Sequence, residues 1–84
     1  MGKIGVVLKV MPESPETDLE RIKEEAKKKI DVNDMDEEDV AFGLKAVMIS
    51  TVVADDEGGT DKVEEQLSKI EGVQSVEVED VQKL

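Results

Sequence analysis

The sequence predicts an α+β fold in which two helices cover one face of a four-stranded antiparallel sheet. Its 84 residues suit one domain, which we expect to span residues 1–84. Three segments have the apolar pattern of strands, an acidic segment suits an edge strand, and two segments repeat apolar residues with helical spacing. The resulting order, β-α-β-β-α-β, forms a split β-α-β pair. Because such crossovers are right-handed, this order predicts a ferredoxin-like plait.

The first strand is predicted over residues 3–11, and Pro12 is expected to end it. Thr17 is the expected N-cap of the first helix, where Glu20, three residues later, would complete a capping box. Each of these two elements has one apolar face. The residues on those faces are Ile4, Val6, Leu8 and Val10 in the strand, and Leu19, Ile22, Ala26 and Ile30 in the helix.

A short second strand is expected near residues 34–40, at an edge of the sheet. The four consecutive acids at residues 36–39 suit an edge, because charge there discourages pairing with another chain. The third strand is predicted over residues 43–54. Its apolar residues occupy both faces over much of its length, which is typical of a central strand.

The second half of the chain begins with a predicted turn at residues 55–59, where two adjacent glycines permit positive φ. Thr60 is the expected N-cap of the second helix, and Gly72 is expected to adopt the left-handed conformation at its C-terminal end. The last strand is predicted from Val73 to about Gln82. Inward-facing positions are Val63, Leu67 and Ile70 in the helix and Val76 and Val78 in the strand, with Glu77 and Glu79 facing outward.

Composition excludes several classes of function. With 22 acidic and 11 basic residues, the chain has a formal net charge of −11, which disfavours direct binding of nucleic acid. It has no cysteine and no histidine, so disulfides, Cys/His zinc sites and histidine-activated nucleophiles are excluded. We expect no metal and no cofactor. No segment approaches the roughly 20 apolar residues of a membrane span, and we expect a cytoplasmic protein.

Two residues are candidate functional sites. Phe42, the only aromatic residue, lies beside Gly43 at the start of the third strand. It either packs in the core or stands exposed as an interface anchor. Lys83 is the penultimate residue. It is either a frayed terminal lysine or a cation held by a paired strand.

Four segments carry a family resemblance: KVMPES at residues 9–14, VAFGLK at 40–45, GGT at 58–60 and VEVEDVQKL at 76–84. With these segments in this order, the chain resembles the archaeal elongation factor 1-beta family over essentially its full length. It is also similar to the C-terminal exchange domain of the larger eukaryotic elongation factor 1-beta.

The resemblance implies a guanine nucleotide exchange factor that promotes GDP release from the GTPase elongation factor 1-alpha. It implies that Phe42, with Ala41 and Gly43, contacts a second domain of that partner. Lys83 would reach into the partner's nucleotide site near the magnesium ion and phosphate loop, accompanied by Gln82, while Leu84 contacts the partner. Such a factor makes and breaks no bond, so we expect no enzyme activity, and we expect a monomer when it is free.

Two other classes of function stay open on the sequence alone. The first is a small-molecule-sensing regulatory domain of the amino-acid-binding type, which shares this plait and binds its ligand between paired subunits. The second is a structural adaptor, which binds a partner without changing nucleotide release.

Overall fold

The computed structural model describes residues 2–54 and 59–84, and it has the predicted order of elements. β1 includes Pro12 as its last residue, so the strand ends one residue later than predicted. Of the predicted turn, residues 55–58 lie outside the described part, and Gly59 is the first residue of the second helix. The elements are β1 (Lys3–Pro12), α1 (Leu19–Lys29), β2 (Asp34–Asp39), a 3₁₀ turn (Ala41–Gly43), β3 (Lys45–Ala54), α2 (Gly59–Ser68) and β4 (Val73–Lys83).

The four strands form one antiparallel sheet in the order β2-β3-β1-β4. β1 is therefore central and pairs with β3 on one side and with β4 on the other. The acidic strand β2 pairs with β3 at one edge, as its charges predicted. This strand order with two crossover helices is the ferredoxin-like plait that the sequence predicted.

The core lies between the sheet and the two helices. Along β1 the predicted alternation is confirmed, since Val6, Leu8 and Val10 are buried and Ile4 is partly buried against them. Each large aliphatic side chain buried in this way contributes about 1.5–3 kcal/mol, which holds the helices on this face. The other buried members of the cluster are Ile22 and Ala26 of α1, Val47 and Ile49 of β3, Val63 and Leu67 of α2, and Ile70.

The start of α1 differs from the prediction by one residue. Asp18 is the N-cap, and its Oδ1 accepts a hydrogen bond from the backbone N–H of Arg21 at 3.3 Å. The Thr17 hydroxyl is used in the preceding turn, where it accepts from the Ser14 N–H at 3.2 Å. Glu20 is then the second helical residue, whereas a capping box needs an acid at the third. The predicted cap and box are therefore wrong.

The second helix also starts earlier than predicted. Because α2 begins at Gly59, Thr60 lies inside its first turn and is not the N-cap. Gly72 has the predicted positive φ, 96°, but it lies in the turn before β4, since the helix ends at Ser68. A Cβ on Gly72 would come within 2.9 Å of the Thr17 methyl group. Both the conformation and this close approach require glycine.

One ion pair ties α1 to the edge strand. The Lys23 Nζ lies 2.5 Å from Oε2 of Glu37, a β2 residue on the face that the helices cover. The hydrogen bond from Lys23 lowers the pKa of the Glu37 carboxyl, and the same bond raises the pKa of the Lys23 ammonium. Since the carboxylate is open to solvent, its contribution to stability is modest.

The pair gives stability a pH dependence of known sign. A carboxyl whose pKa is lowered by folding stabilises the protein above its unfolded pKa, and this contribution is lost as the pH falls through the lowered value. Glu37→Gln is therefore expected to lower the melting temperature near neutral pH, and the difference from the unsubstituted chain should vanish on acidification. Thermal unfolding of both chains, measured from neutral pH down through the lowered pKa of Glu37, gives the difference in melting temperature. Glu38→Gln, on the opposite face of the same strand, is the control and should show neither effect.

Candidate partner-binding site

The two candidate residues lie at opposite ends of the sheet. Phe42 lies in the turn that leads into β3, and the first residues of β3 pair with the end of β1, as in Val10↔Val47. Lys83 pairs with Ile4 at the beginning of β1. From Ile4 to Val10 the strand advances by six residue steps, and each step adds about 3.3 Å. The two candidates are therefore held about 20 Å or more apart by the central strand.

Phe42 stands at the tip of a tight backbone turn. The Val40 N–H donates to the Leu44 carbonyl at 2.9 Å, and the Leu44 N–H donates to the Ala41 carbonyl at 3.2 Å. These bonds close the turn at its base and direct its tip into solvent, where the Phe42 side chain is 94% exposed. The core-packing alternative for Phe42 is therefore wrong. The exposed aromatic predicted as an anchor is present.

The backbone of Phe42 is strained. Its φ and ψ are 62° and 32°, in the left-handed region that residues with a Cβ seldom adopt. The cost is about 1–2 kcal/mol. The exposed ring recovers none of this cost by burial. Gly43 follows with φ of 76° and no atom within 4 Å of a would-be Cβ, so backbone conformation alone favours glycine there. A strained, exposed aromatic residue indicates a role outside the fold.

The C-terminal end is held by backbone pairing. β4 runs through Lys83, and the Leu84 N–H donates to the Lys3 carbonyl at 2.9 Å. The fraying alternative is therefore wrong for this backbone. The Leu84 side chain is 71% exposed, and Lys83 has no ion-pair partner among residues 2–54 and 59–84.

A bulge in β4 decides on which face Lys83 emerges. Leu8 pairs with Val78 and Val7 pairs with Asp80, so Glu79 is an extra residue in this strand. Without it, the regular pairing would place Lys83 opposite Lys3, with like charges adjacent. With it, Lys83 lies opposite Ile4, on the face of the sheet that the helices cover.

The bulge also separates the two C-terminal candidates. Gln82 pairs with Gly5 and lies on the open face of the sheet, while Lys83 lies on the other face. Gln82 and Lys83 are neighbours in the chain, but their side chains lie on opposite faces of the sheet and are not side by side. The change of pattern from Val76 and Val78 to Val81 was a sequence signal for this bulge that the prediction missed.

Within residues 2–54 and 59–84, no cluster of side chains has the composition and spacing to hold a metal ion. The described helices include none that is both long and apolar enough to span a bilayer. Within the described residues, the structure presents two exposed groups at opposite ends of a paired β-scaffold, the Phe42 ring and the C-terminal end of β4. This arrangement suits recognition of a large partner at two separate points.

Comparison with known proteins gives a consistent match. The family model of the EF-1 guanine nucleotide exchange domain matches residues 5–84. Elongation factor 1-beta of Methanothermobacter thermautotrophicus is 49% identical over 88 aligned positions, which cover 100% of this chain and 99% of that protein. The protein of the same name from Methanosphaera stadtmanae is 48% identical with the same coverage. The protein of the same name from Natronomonas pharaonis is 40% identical over 88 aligned positions, which cover 100% of both chains.

The strain at Phe42 is open to a direct test. Glycine adopts the left-handed conformation freely, so Phe42→Gly is expected to be more stable than Phe42→Ala by about 1 kcal/mol. Urea denaturation of the two variants measures the difference. The control is Glu24, exposed within α1, where glycine should be less stable than alanine by about 1 kcal/mol. If alanine were the more stable residue at position 42 as well, the strain would not exist in solution.

Proposed function

The chain belongs to the EF-1 guanine nucleotide exchange domain family, and from this premise we propose that it acts on elongation factor 1-alpha by a two-point grip. The chain is a guanine nucleotide exchange factor of translation elongation. In the proposal, Lys83 enters the nucleotide site of the GTPase while Phe42, with Ala41 and Gly43, binds a second domain of the same molecule. The comparisons give the regulatory-domain alternative no support.

The observation that carries the proposal is the separation of two exposed groups by a hydrogen-bonded strand. β1 pairs along nearly its whole length on both sides, so the distance between its ends is fixed. A ligand contacted at both ends must be large enough to span about 20 Å. A GTPase of several domains meets that requirement. Contact at the Phe42 end would then orient the approach of Lys83 at the other end.

Lys83 supplies the chemistry that the nucleotide site is sensitive to. A GTPase holds GDP through Mg²⁺ and through backbone amides that surround the phosphates. An ammonium group inserted there competes electrostatically with the magnesium ion and disturbs the phosphate contacts. By linkage, a protein that binds the empty GTPase more tightly than the loaded one weakens GDP binding by the same factor.

In this account the chain supplies binding and positioning, and it makes and breaks no covalent bond. Each tenfold increase in GDP dissociation requires about 1.4 kcal/mol less barrier to release. GTP then occupies the emptied site because the cell supplies it in excess. The paired backbone at Lys83 supports the proposal, because a lysine on an ordered strand loses less conformational entropy on insertion than one on a loose tail.

The role of Lys83 is tested by fluorescent-GDP release from elongation factor 1-alpha. Lys83→Gln keeps a polar side chain but removes the charge, and it is expected to reduce the maximal release rate at least about tenfold. Lys62→Gln, at an exposed lysine of α2, is the matched control and should keep full activity. Full activity of Lys83→Gln would remove the proposed mechanism, although the family assignment would stand.

Phe42 is expected to affect a different parameter of the same assay. Because it is proposed to bind a domain away from the nucleotide, Phe42→Ala should raise the half-saturating concentration of the chain about tenfold. The maximal rate at saturation should change little. A lowered maximal rate with unchanged half-saturation would place Phe42 at the nucleotide site and contradict the two-point grip.

A further inference from the structure

Gly5 is a glycine that its own fold does not explain. It lies within β1, paired with Val52 on one side and Gln82 on the other, and its φ is not in the left-handed region. A Cβ on Gly5 would meet the Leu84 side chain at 3.7 Å and the Gln82 carbonyl at 3.9 Å, which are ordinary contacts. Glycine weakens a strand interior, and in such a position it often marks a place where another molecule approaches closely.

Gly5 forms the floor of a shallow hollow on the open face of the sheet. The hollow has a volume of about 240 Å³ and is walled by Val7, Val52 and Leu84, with Ser50 and Gln82 between them. Along β1 and β3, the residues of the hollow alternate with the buried core residues, so they lie on the face away from the helices. The residues of β4 that pair with them lie on the same face. The missing side chain at Gly5 is what leaves the hollow open.

We propose that this hollow, defined by Gly5, Val7, Val52 and Leu84, receives an apolar side chain of the GTPase during nucleotide exchange. The inference rests on the proposed function and extends it to a third contact. Gln82 and Leu84, which wall the hollow, flank Lys83 in the chain. The hollow lies on the opposite face of the sheet from the Lys83 side chain, at the same end of edge strand β4. A GTPase that wraps around this edge to enclose Lys83 also covers the hollow.

The charge beside the hollow specifies its occupant further. Asp80 pairs with Val7, lines the hollow and is exposed. The chain as a whole has a net charge of −11. An apolar side chain with a lysine or arginine next to it matches an apolar floor with a carboxylate at its rim. The occupant is thus an apolar residue of the GTPase with a basic neighbour.

The test fills the hollow without disturbing the fold. A Cβ at position 5 meets only ordinary contacts and valine favours strands, so the thermal stability of Gly5→Val is expected to equal or exceed that of the unsubstituted chain. In the fluorescent-GDP assay it is expected to raise the half-saturating concentration about tenfold. Gly5→Ala, with a smaller side chain, should give a smaller increase. Ser75→Val adds the same side chain to the open face opposite Met11, far from the hollow, and should change nothing.

Four results would overturn the inference. One is unchanged half-saturation of Gly5→Val, and another is an equal increase in Ser75→Val. A third is Gly5→Val failing to fold, because glycine would then serve the fold itself. The fourth is sedimentation that shows a dimer of the unsubstituted chain and a monomer of Gly5→Val, since the occupant would then be a second copy. The proposed function is judged separately by Lys83→Gln, so it survives an unchanged Gly5→Val and fails if Lys83→Gln keeps full activity.

Discussion

The pairing of β1 with both of its neighbours is the constraint on which the rest of the molecule depends. β1 contributes Val6, Leu8 and Val10 to the core, and its ladders position β3 and β4. Through β3 it holds the turn of Phe42, and through β4 it holds Lys83. Loss of either ladder would release Phe42 or Lys83 from its fixed distance to the other. The spacing on which the proposed two-point grip relies therefore depends on the same hydrogen bonds as the fold.

Phe42 and Gly5 each lower the stability of the fold, and the burial of apolar side chains in the core offsets that loss. Phe42 has a left-handed backbone and an exposed ring, and Gly5 interrupts the side chains of the central strand. Neither feature helps the chain fold. A short chain buries a limited apolar surface, so such costs are noticeable and are tolerated when another molecule uses them.

The sequence predicted the fold well because alternation and helical spacing directly reflect burial. It predicted the helix caps poorly, because Thr17 and Asp18 both suit a cap and only the turn with Ser14 decides between them. The bulge at Glu79 was missed because one extra residue changes the face of a strand without changing its composition. The left-handed backbone of Phe42 has no local signature, since aromatic residues seldom adopt it.

A structure of the complex with nucleotide-free elongation factor 1-alpha tests the central claim most directly. The account predicts that the Lys83 ammonium lies in the emptied magnesium and phosphate site. It also predicts that Phe42 contacts another domain of the same GTPase, about 20 Å or more away. A complex that still releases GDP rapidly while the end of β4 points into solvent would contradict it.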